Sequence, residues 1–230
     1  AFLVVVGAVG VWWGTLGVPQ LRSEPAVGGL REQLRAVLGD RDARTLVTSF
    51  VLQAVVMGMV LSGVVYVARH VFHDPALATY AFVCFVVPAI LLTPVWSALG
   101  QRIGKKGGFA VATIVQVVGF AGLLAARDAG PVVMLIAAGI VGIGYAGGQL
   151  FPLAMLPDIA AADAARSGTN RIGMISGVWS GFELLGYALG PALLGLVMGI
   201  GGYVASTGAE TPQSDAAQWA IMLGVSAIPA

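Results

Sequence analysis

Charged side chains and cysteines are scarce in this sequence. Only 10% of the 230 residues are Asp, Glu, Lys or Arg, 58% are hydrophobic, and the mean hydropathy is +0.90. These values lie well outside the range of ordinary soluble domains, so the composition excludes that class. The one cysteine, Cys84, lies in an apolar run, which excludes a disulfide framework and a thiolate metal site within the chain.

Catalytic motifs are missing as well. The sequence has no phosphate-binding glycine loop ending in lysine, which an ATP-driven pump would need. No serine or cysteine shares an apolar segment with a histidine, the pairing that a membrane hydrolase would need. His70 and His73 stand together in "HVFH", but no third histidine completes a metal site. We therefore predict that the chain is not an enzyme and holds no metal.

Apolar segments of about 20 residues recur along the chain, the length that crosses ~30 Å of hydrocarbon. They are continuously apolar rather than alternating, which indicates helices and not the strands of a membrane barrel. The sequence thus predicts an all-α membrane protein with six to seven transmembrane helices. The predicted spans are 1–18, 46–68, 77–98, 108–126, 131–155 and 173–200, and a seventh begins near Gln218.

Basic residues fall in alternate connections between these spans. Ten of the 12 Lys and Arg residues lie in the segments 19–45, 100–107 and 156–172. The positive-inside rule places all three segments on the cytoplasmic side. We expect a multi-pass protein that is integral to the cytoplasmic membrane, either an inner or a plasma membrane.

The cytoplasmic segment 19–45 is the longest connection and separates one span from all the others. Its stretch "GGLREQLRAVLGD" has apolar residues at helical spacing with charges between them, which predicts a short amphipathic helix at the membrane surface. Such a linker suggests two helix bundles. Residues 1–18 would be the last helix of an N-terminal bundle, and residues 46–230 a C-terminal six-helix bundle with a truncated last helix. On this interpretation the chain is a fragment.

One charged residue, Glu183, lies near the middle of the predicted span 173–200. A carboxylate there costs roughly 2.5–3.5 kcal/mol on insertion scales, so it is by default a functional-site hypothesis. Trp179, Ser180 and Tyr187 are spaced so that they share one stripe of the helix with Glu183. That stripe is too polar to face lipid. Glu183 is therefore either a proton or substrate site or a structural carboxyl bonded to another helix.

Other spans offer polar groups that would meet this stripe. Tyr145 and Gln149 form a polar stripe on the preceding span, and Gln53 adds a polar group on the second span. Together with the stripe of Glu183, these residues predict a cavity for the substrate or the coupling ion. For Trp179, packing against a neighbouring helix and stacking on a sugar are both open.

Two segments resemble known transporters. The segment "GQRIGKK" resembles the basic loop of the major facilitator superfamily, in which Arg102, Gly104, Lys105 and Lys106 match and Gln101 stands where an Asp is usual. The segment "LPDIAAADAARSGTNRIGMISGVWSGFELLGYALGP" resembles the glycoside–pentoside–hexuronide:cation symporters, the melibiose-permease-like family. The residues that follow that family's pattern are Asp158, Asp163, Arg166, Gly168, Arg171, Gly173, Gly177, Trp179, Gly186 and Gly190.

The resemblance implies the second half of a twelve-helix major facilitator fold. It further implies a secondary active transporter that couples a proton or sodium ion to symport of a sugar or related polar solute by alternating access. No cofactor is expected, apart from the coupling cation, a proton or a sodium ion. The implied partners are the lipid bilayer, the small-molecule substrate and the missing N-terminal bundle of the same protein, and no nucleic acid is expected.

Leu184 departs from the family pattern, because a cavity-facing lysine often stands at that position. The departure keeps two alternatives open. One is a major facilitator transporter of a lipid or amphipathic compound, and the other is a non-transporting membrane scaffold. Polar stripes in several spans argue against a scaffold, which has no need of a wet interior.

Charges at the cytoplasmic rim suggest a gate. Asp158 stands at the inner end of a span, and Asp163, Arg166 and Arg171 follow within one segment. We expect Asp158 to form an ion pair with Arg102, Arg166 or Arg171, and we expect such pairs to form in one state of the transport cycle and break in another. The alternative is solvated surface charge that only sets the topology.

Overall fold

Every regular element of the described chain is a helix. The computed structural model describes residues 2–16, 30–168, 172–205 and 212–230. Within these ranges no β-strand occurs, which confirms the predicted all-α fold class. The helices are α1 (Phe2–Thr15), α2 (Leu30–Gly39), α3 (Arg41–Tyr66), α4 (Ala76–Ala129), α5 (Pro131–Ser167), α6 (Ile172–Ile200) and α7 (Asp215–Val225), and α3 continues as one π-helical turn, Val67–Val71.

Four stretches of helix are long and apolar enough to cross a membrane. They are Arg41–Val71, Ala76–Ala129, Pro131–Arg166 and Ile172–Ile200. This number makes the chain a multi-pass membrane protein. The predicted span 1–18 contains α1, which contacts none of the other helices that the structure describes. The division of the chain into two bundles, with residues 46–230 as the second, stays a prediction.

Helix α4 contains two of the predicted spans, 77–98 and 108–126, folded back on each other. It is 54 residues long, and its one non-helical residue is Gly104, with φ 80° and ψ 162°. Gly100 and Gly108, equally far from Gly104 on either side, both lie against the ring of Phe151. The two arms of α4 therefore reverse direction at a single residue. Only glycine adopts this backbone conformation without steric cost.

Helix α5 extends well beyond the predicted span 131–155. It continues to Ser167, and Gly168 ends it in a left-handed conformation with φ 70°. The added stretch "IAAADAARS" is rich in alanine, the residue with the highest helix propensity, so the helix persists after it leaves the apolar layer. As a result, Asp158, Asp163 and Arg166 are carried on a rigid helix rather than on a loop. We call this end of the bundle, together with Gly104, the inner side.

Helices α3 and α6 approach each other closely at glycines. A methyl group at Gly186 would lie 2.7 Å from the Cβ of Ala54, and one at Gly190 would lie 2.5 Å from the carbonyl oxygen of Val55. Small residues at such positions let two backbones approach and gain dispersion contacts that lipid cannot match. At Gly195 and Gly199, spaced identically on α6, an added methyl group would meet no atom of the described residues within 4 Å. Sequence spacing alone therefore did not distinguish contact glycines from open ones.

On the outer side, Arg127 joins the end of α4 to the start of α7. Its guanidinium forms an ion pair with Asp215 and lies 3.9 Å from the ring centroid of Trp219. The hydroxyl of Ser214 accepts from the backbone N–H of Ala217 and caps α7. Helix α7 is thereby fixed at its outer end, where it closes the bundle against α3 and α6.

The α3–α6 contact gives a direct test of this packing. We expect Gly190→Ala to lower the thermal unfolding midpoint of the intact protein, because the new methyl has to push α6 away from Val55, and overpacking costs ~1–3 kcal/mol. The control is Gly195→Ala, which adds the same methyl to the same helix with no atom within 4 Å. The measurement is fluorescence-detected size exclusion after heating. Equal midpoints for the two variants would contradict the packing.

Candidate functional site

Three polar side chains meet inside the bundle, between α5 and α6. The amide nitrogen of Gln149 donates to the hydroxyl of Tyr145 at 2.7 Å and to the hydroxyl of Tyr187 at 3.2 Å. The two tyrosine hydroxyls lie 3.1 Å apart and share a hydrogen bond. All three side chains are half-buried. We call Tyr145, Gln149 and Tyr187 the polar cluster.

The polar cluster has hydrogen-bonding capacity left over. Two hydroxyls carry two hydrogens, and the bond between Tyr145 and Tyr187 uses one of them. The carbonyl oxygen of Gln149 receives no donor from the residues that the structure describes. The cluster therefore offers one donor and one acceptor to an incoming group, which is the pair that a hydroxyl group requires.

Glu183 stands one helical turn before Tyr187 on α6 and is half-buried. It forms no ion pair within the part of the chain that the structure describes. The neighbouring positions Gly181 and Leu184 are exposed, with Leu184 at 70% of its full accessible area. The carboxyl group thus lies at the edge of the bundle's surface, next to the polar cluster.

Gln53 reaches the same region from α3. Its amide nitrogen lies against Gly148, the residue before Gln149, and occupies the space that a side chain at position 148 would fill. Its carbonyl oxygen is buried and has no hydrogen-bond partner among the described residues. A buried acceptor without a donor costs about 1–3 kcal/mol, so a water molecule or a ligand group is expected to satisfy it in the intact protein.

Trp179 lies apart from the polar cluster. It is 3% exposed and stacks on Phe50 of α3, with ring centroids 4.1 Å apart and an angle of 30° between the planes. It belongs to a buried apolar group that includes Val47 and Ile175. The ring is thus packed between α3 and α6, and its indole N–H is buried without a hydrogen-bond partner among the described residues. Ser180, at the next position, is exposed and forms no hydrogen bond with the cluster.

At the inner side, the ion-pair partner of Asp158 is Lys105. The Nζ atom of Lys105 lies 2.5 Å from the carboxylate and also donates to the carbonyl oxygen of Ala154 at 2.9 Å. The expectation that Arg102 or Arg166 would fill this role was wrong, because Lys105 follows the reversal at Gly104 directly and therefore faces α5. Arg102, on the other arm, is exposed.

Arg166 pairs instead with Asp40, at the start of α3. One carboxylate oxygen of Asp40 accepts from the backbone N–H groups of Asp42 and Ala43, at 2.8 and 3.3 Å, and the other accepts from the Arg166 guanidinium. Partial burial raises the pKa of Asp40, but these hydrogen bonds and the Arg166 charge outweigh it and hold the pKa below its ordinary value. Asp40 therefore stays ionised and ties the inner ends of α3 and α5 together.

The other rim residues have less defined surroundings. One oxygen of Asp163 is buried without a hydrogen-bond partner in the described chain. Arg171 lies outside the described residues. Among the described residues, no group of three or more His, Cys, Asp or Glu side chains could hold a metal ion.

Two functional contacts were missed from the sequence, those of Lys105 and Asp40. Asp40 carried a local signal, because an aspartate directly before a helical pattern is a typical N-cap. The sequence gives no signal for its pairing with Arg166, which lies 126 residues away along the chain.

This chain resembles a protein family and individual known proteins. A family model described as MFS/sugar transport protein matches residues 1–230. The uncharacterized symporter sll1374 of a Synechocystis strain is 31% identical over 144 residues, which make up 62% of this chain and 26% of that protein. The uncharacterized symporter YnaJ of Bacillus subtilis is 28% identical over 169 residues, which make up 73% of this chain and 35% of that protein. The chain thus spans about a quarter to a third of the length of these relatives.

These matches confirm the resemblance of the basic segment and of α5–α6 to major facilitator transporters. With its polar cluster inside a bundle of membrane-spanning helices, the chain belongs to the MFS/sugar transport protein family.

Proposed function

We propose that the intact protein is a secondary active transporter of the cytoplasmic membrane, which couples a proton or sodium ion to symport of a sugar or related polar solute. The observation that carries the proposal is the polar cluster with Glu183 one turn away, inside an otherwise apolar bundle. The expected partners are the bilayer, the solute and a second helix bundle. The two relatives named symporters support coupling of this kind.

The free donor and acceptor of the cluster suit a polyhydroxylated solute. Each sugar hydroxyl both donates and accepts, so Gln149 and the tyrosine pair can exchange their bonds to water for bonds to the solute with little net cost. Glu183 adds the one group in this region that changes charge. Taking up a proton when the cavity closes, and releasing it when the cavity opens to water, would tie solute movement to a cation gradient.

Alternating access needs contacts that differ between two states. The pair of Lys105 with Asp158 and the pair of Asp40 with Arg166 both join helices at the inner side. Both pairs hold parts of one bundle together. We therefore propose that they keep the inner rim of this bundle rigid, and that the gate itself involves the remaining rim charges, Asp163, Arg102 and Arg171.

Glu183→Gln tests the coupling role. Glutamine keeps the shape and the hydrogen bonding of the side chain but does not titrate. In proteoliposomes with the intact protein, we expect the variant to lose accumulation of solute against a gradient while it retains exchange down a gradient. A panel of sugars, methyl glycosides and hexuronates, assayed by counterflow, identifies the solute to use.

The control for this variant is Asp128→Asn, which removes an exposed carboxylate at the outer end of α4. It should leave accumulation intact. If Glu183→Gln concentrates the solute as the parent does, with the same dependence on pH and sodium, the carboxyl group is structural and the coupling role is rejected.

Tyr187→Phe tests the polar cluster as the solute-binding site. Loss of one hydroxyl removes a hydrogen bond to the solute, worth about 1–1.5 kcal/mol, which corresponds to roughly a tenfold higher half-saturation concentration in exchange. Tyr80→Phe, at a side chain that is 57% exposed on α4, serves as the matched control. An unchanged half-saturation concentration in Tyr187→Phe would place the solute elsewhere.

Asp158→Asn tests the inner rim. The two side chains of the pair are 43% and 61% exposed, so the pair contributes under ~1 kcal/mol to stability and the variant should fold normally. We expect slower transport at equal membrane abundance. The charge exchange Lys105→Asp with Asp158→Lys should recover part of the lost rate. Parental transport by Asp158→Asn would show that the pair has no part in the cycle.

A further inference from the structure

Four exposed arginines surround the corner at which α2 meets α3, on the inner side of the bundle. Two of them lie one turn apart on α2, and two lie in the first turn of α3. They are Arg31, Arg35, Arg41 and Arg44. None of them forms an ion pair within the part of the chain that the structure describes. We call these four residues the arginine corner.

Helix α2 turns its apolar face towards the protein. It contacts α3 and α6, and Leu34 packs against a buried apolar group. That group begins at Ala43 in the first turn of α3 and includes Ile175 in the first turn of α6. The apolar face of α2 therefore docks against the inner ends of two spans, and its charged face is left to the surroundings.

The arginine corner lies at the point where α3 enters the membrane. The membrane-spanning stretch Arg41–Val71 begins at the corner itself. The guanidinium of Arg44 donates from Nη1 to the carbonyl oxygen of Leu38, 3.4 Å away, and so joins the start of α3 to the last turn of α2. An amphipathic helix at this depth places its charged side chains among the lipid headgroups.

Positive charge is in excess at the arginine corner. The acidic residues of the segment 30–45 are Glu32, Asp40 and Asp42. The carboxylate of Asp40 is already engaged by Arg166 of α5 and by two backbone N–H groups. Only Glu32 and Asp42 are then left against the four arginines, so two positive charges lack an acidic counterpart in this segment. An anionic surface would supply that counterpart.

The corner is built from arginine and contains no lysine. The segment 19–45 has five arginines, whereas the two lysines of the chain, Lys105 and Lys106, lie at the reversal of α4. Either residue type satisfies the positive-inside rule. A guanidinium, however, forms two parallel hydrogen bonds to a phosphate group, whereas an ammonium group acts as a point charge. The choice of arginine therefore points to phosphate as the group that is bound.

We propose that the arginine corner binds the phosphate groups of anionic phospholipids in the cytoplasmic leaflet, and that this binding holds α2 against α3 and α6. The partner is a lipid surface because the corner lies where a membrane span begins, within reach of the headgroups. Helix α2 is then held from both sides, by lipid on its charged face and by the bundle on its apolar face. The proposal depends on the predicted orientation of the inner side and not on the transported solute.

Native mass spectrometry of the intact protein in a neutral detergent measures the binding. The probes are phosphatidylglycerol and phosphatidylcholine with identical acyl chains, and inorganic phosphate as a competitor. Each basic residue near an anionic surface contributes about a fivefold gain in affinity. We expect phosphatidylglycerol to bind at least about tenfold more tightly than phosphatidylcholine. The double variant Arg31→Gln with Arg35→Gln should weaken phosphatidylglycerol binding by about 20-fold and leave phosphatidylcholine binding unchanged.

The matched control is Arg102→Gln with Lys106→Gln, which removes two exposed positive charges from the same side of the bundle, at the reversal of α4. It should keep the affinity for phosphatidylglycerol within about twofold of the parent. An equal loss in both double variants would show a general attraction to the inner side and overturn the site. Equal binding of the two lipids overturns it as well. Displacement of phosphatidylglycerol by inorganic phosphate would make a free anion the ligand and overturn the lipid as the partner.

Hydrogen exchange of the backbone amides in Leu30–Gly39 tests whether the lipid holds α2 in place. The intact protein is compared in nanodiscs of phosphatidylcholine alone and in nanodiscs that also contain phosphatidylglycerol. We expect α2 to exchange about tenfold more slowly in the anionic nanodiscs, and we expect Arg31→Gln with Arg35→Gln to remove the difference. Glutamine has a helix propensity close to that of arginine, so the variant keeps the helix itself. Equal exchange of the parent in both lipids would show that the lipid does not hold α2 and would overturn that part of the proposal.

Discussion

Polar groups inside a bilayer have no water to bond to, so each one must find its partner within the protein. The helices satisfy the backbone, and side chains follow the same constraint. The indole N–H of Trp96 donates to the carbonyl oxygen of Ile143 at 2.8 Å, joining α4 to α5, and Ser62 bonds back to Gly58 in its own helix. Against this background, a group left without a partner indicates a place where something else binds. Among the described residues, the buried side-chain groups without a partner are an oxygen of Gln53, an oxygen of Asp163 and the indole nitrogen of Trp179. The oxygen of Gln53 lies beside the spare capacity of Gln149, which is why that region is the candidate site.

Close helix contact makes the site possible. Glycines at 58, 186 and 190 bring α3 against α6, and Gly148 makes room for Gln53 between α3 and α5. Three helices thus converge at one depth of the bundle. Larger residues at these positions would separate the helices by the width of a side chain, and the hydroxyls of Tyr145 and Tyr187 would no longer reach each other.

The helical class, the existence of the spans and the polar residues that meet were predictable from the sequence, because they depend on composition and on the period of the α-helix. Tyr145, Gln149 and Tyr187 were all named from their stripes. The partner of each rim charge was not predictable. Lys105 and Arg102 look equivalent in "GQRIGKK", and only the reversal at Gly104 determines which of them faces Asp158. Trp179 likewise shares a stripe with Glu183, yet the angular width of that stripe let one residue pack on Phe50 while another reached the surface.

The reversal at Gly104 has a mechanical consequence. A connection of one residue has no slack, so neither arm of α4 can slide along the other or tilt away from it at the inner side. The ring of Phe151, on α5, lies between the two arms. The ion pair of Lys105 with Asp158 joins α4 to α5 at the same end of the bundle. During a rocking movement, the two arms of α4 and helix α5 are therefore expected to move together as one rigid body. Because Asp40 also ties the inner end of α3 to α5, any flexing of the bundle then falls on α6 and on the rest of α3, which carry Gln53, Glu183 and Tyr187.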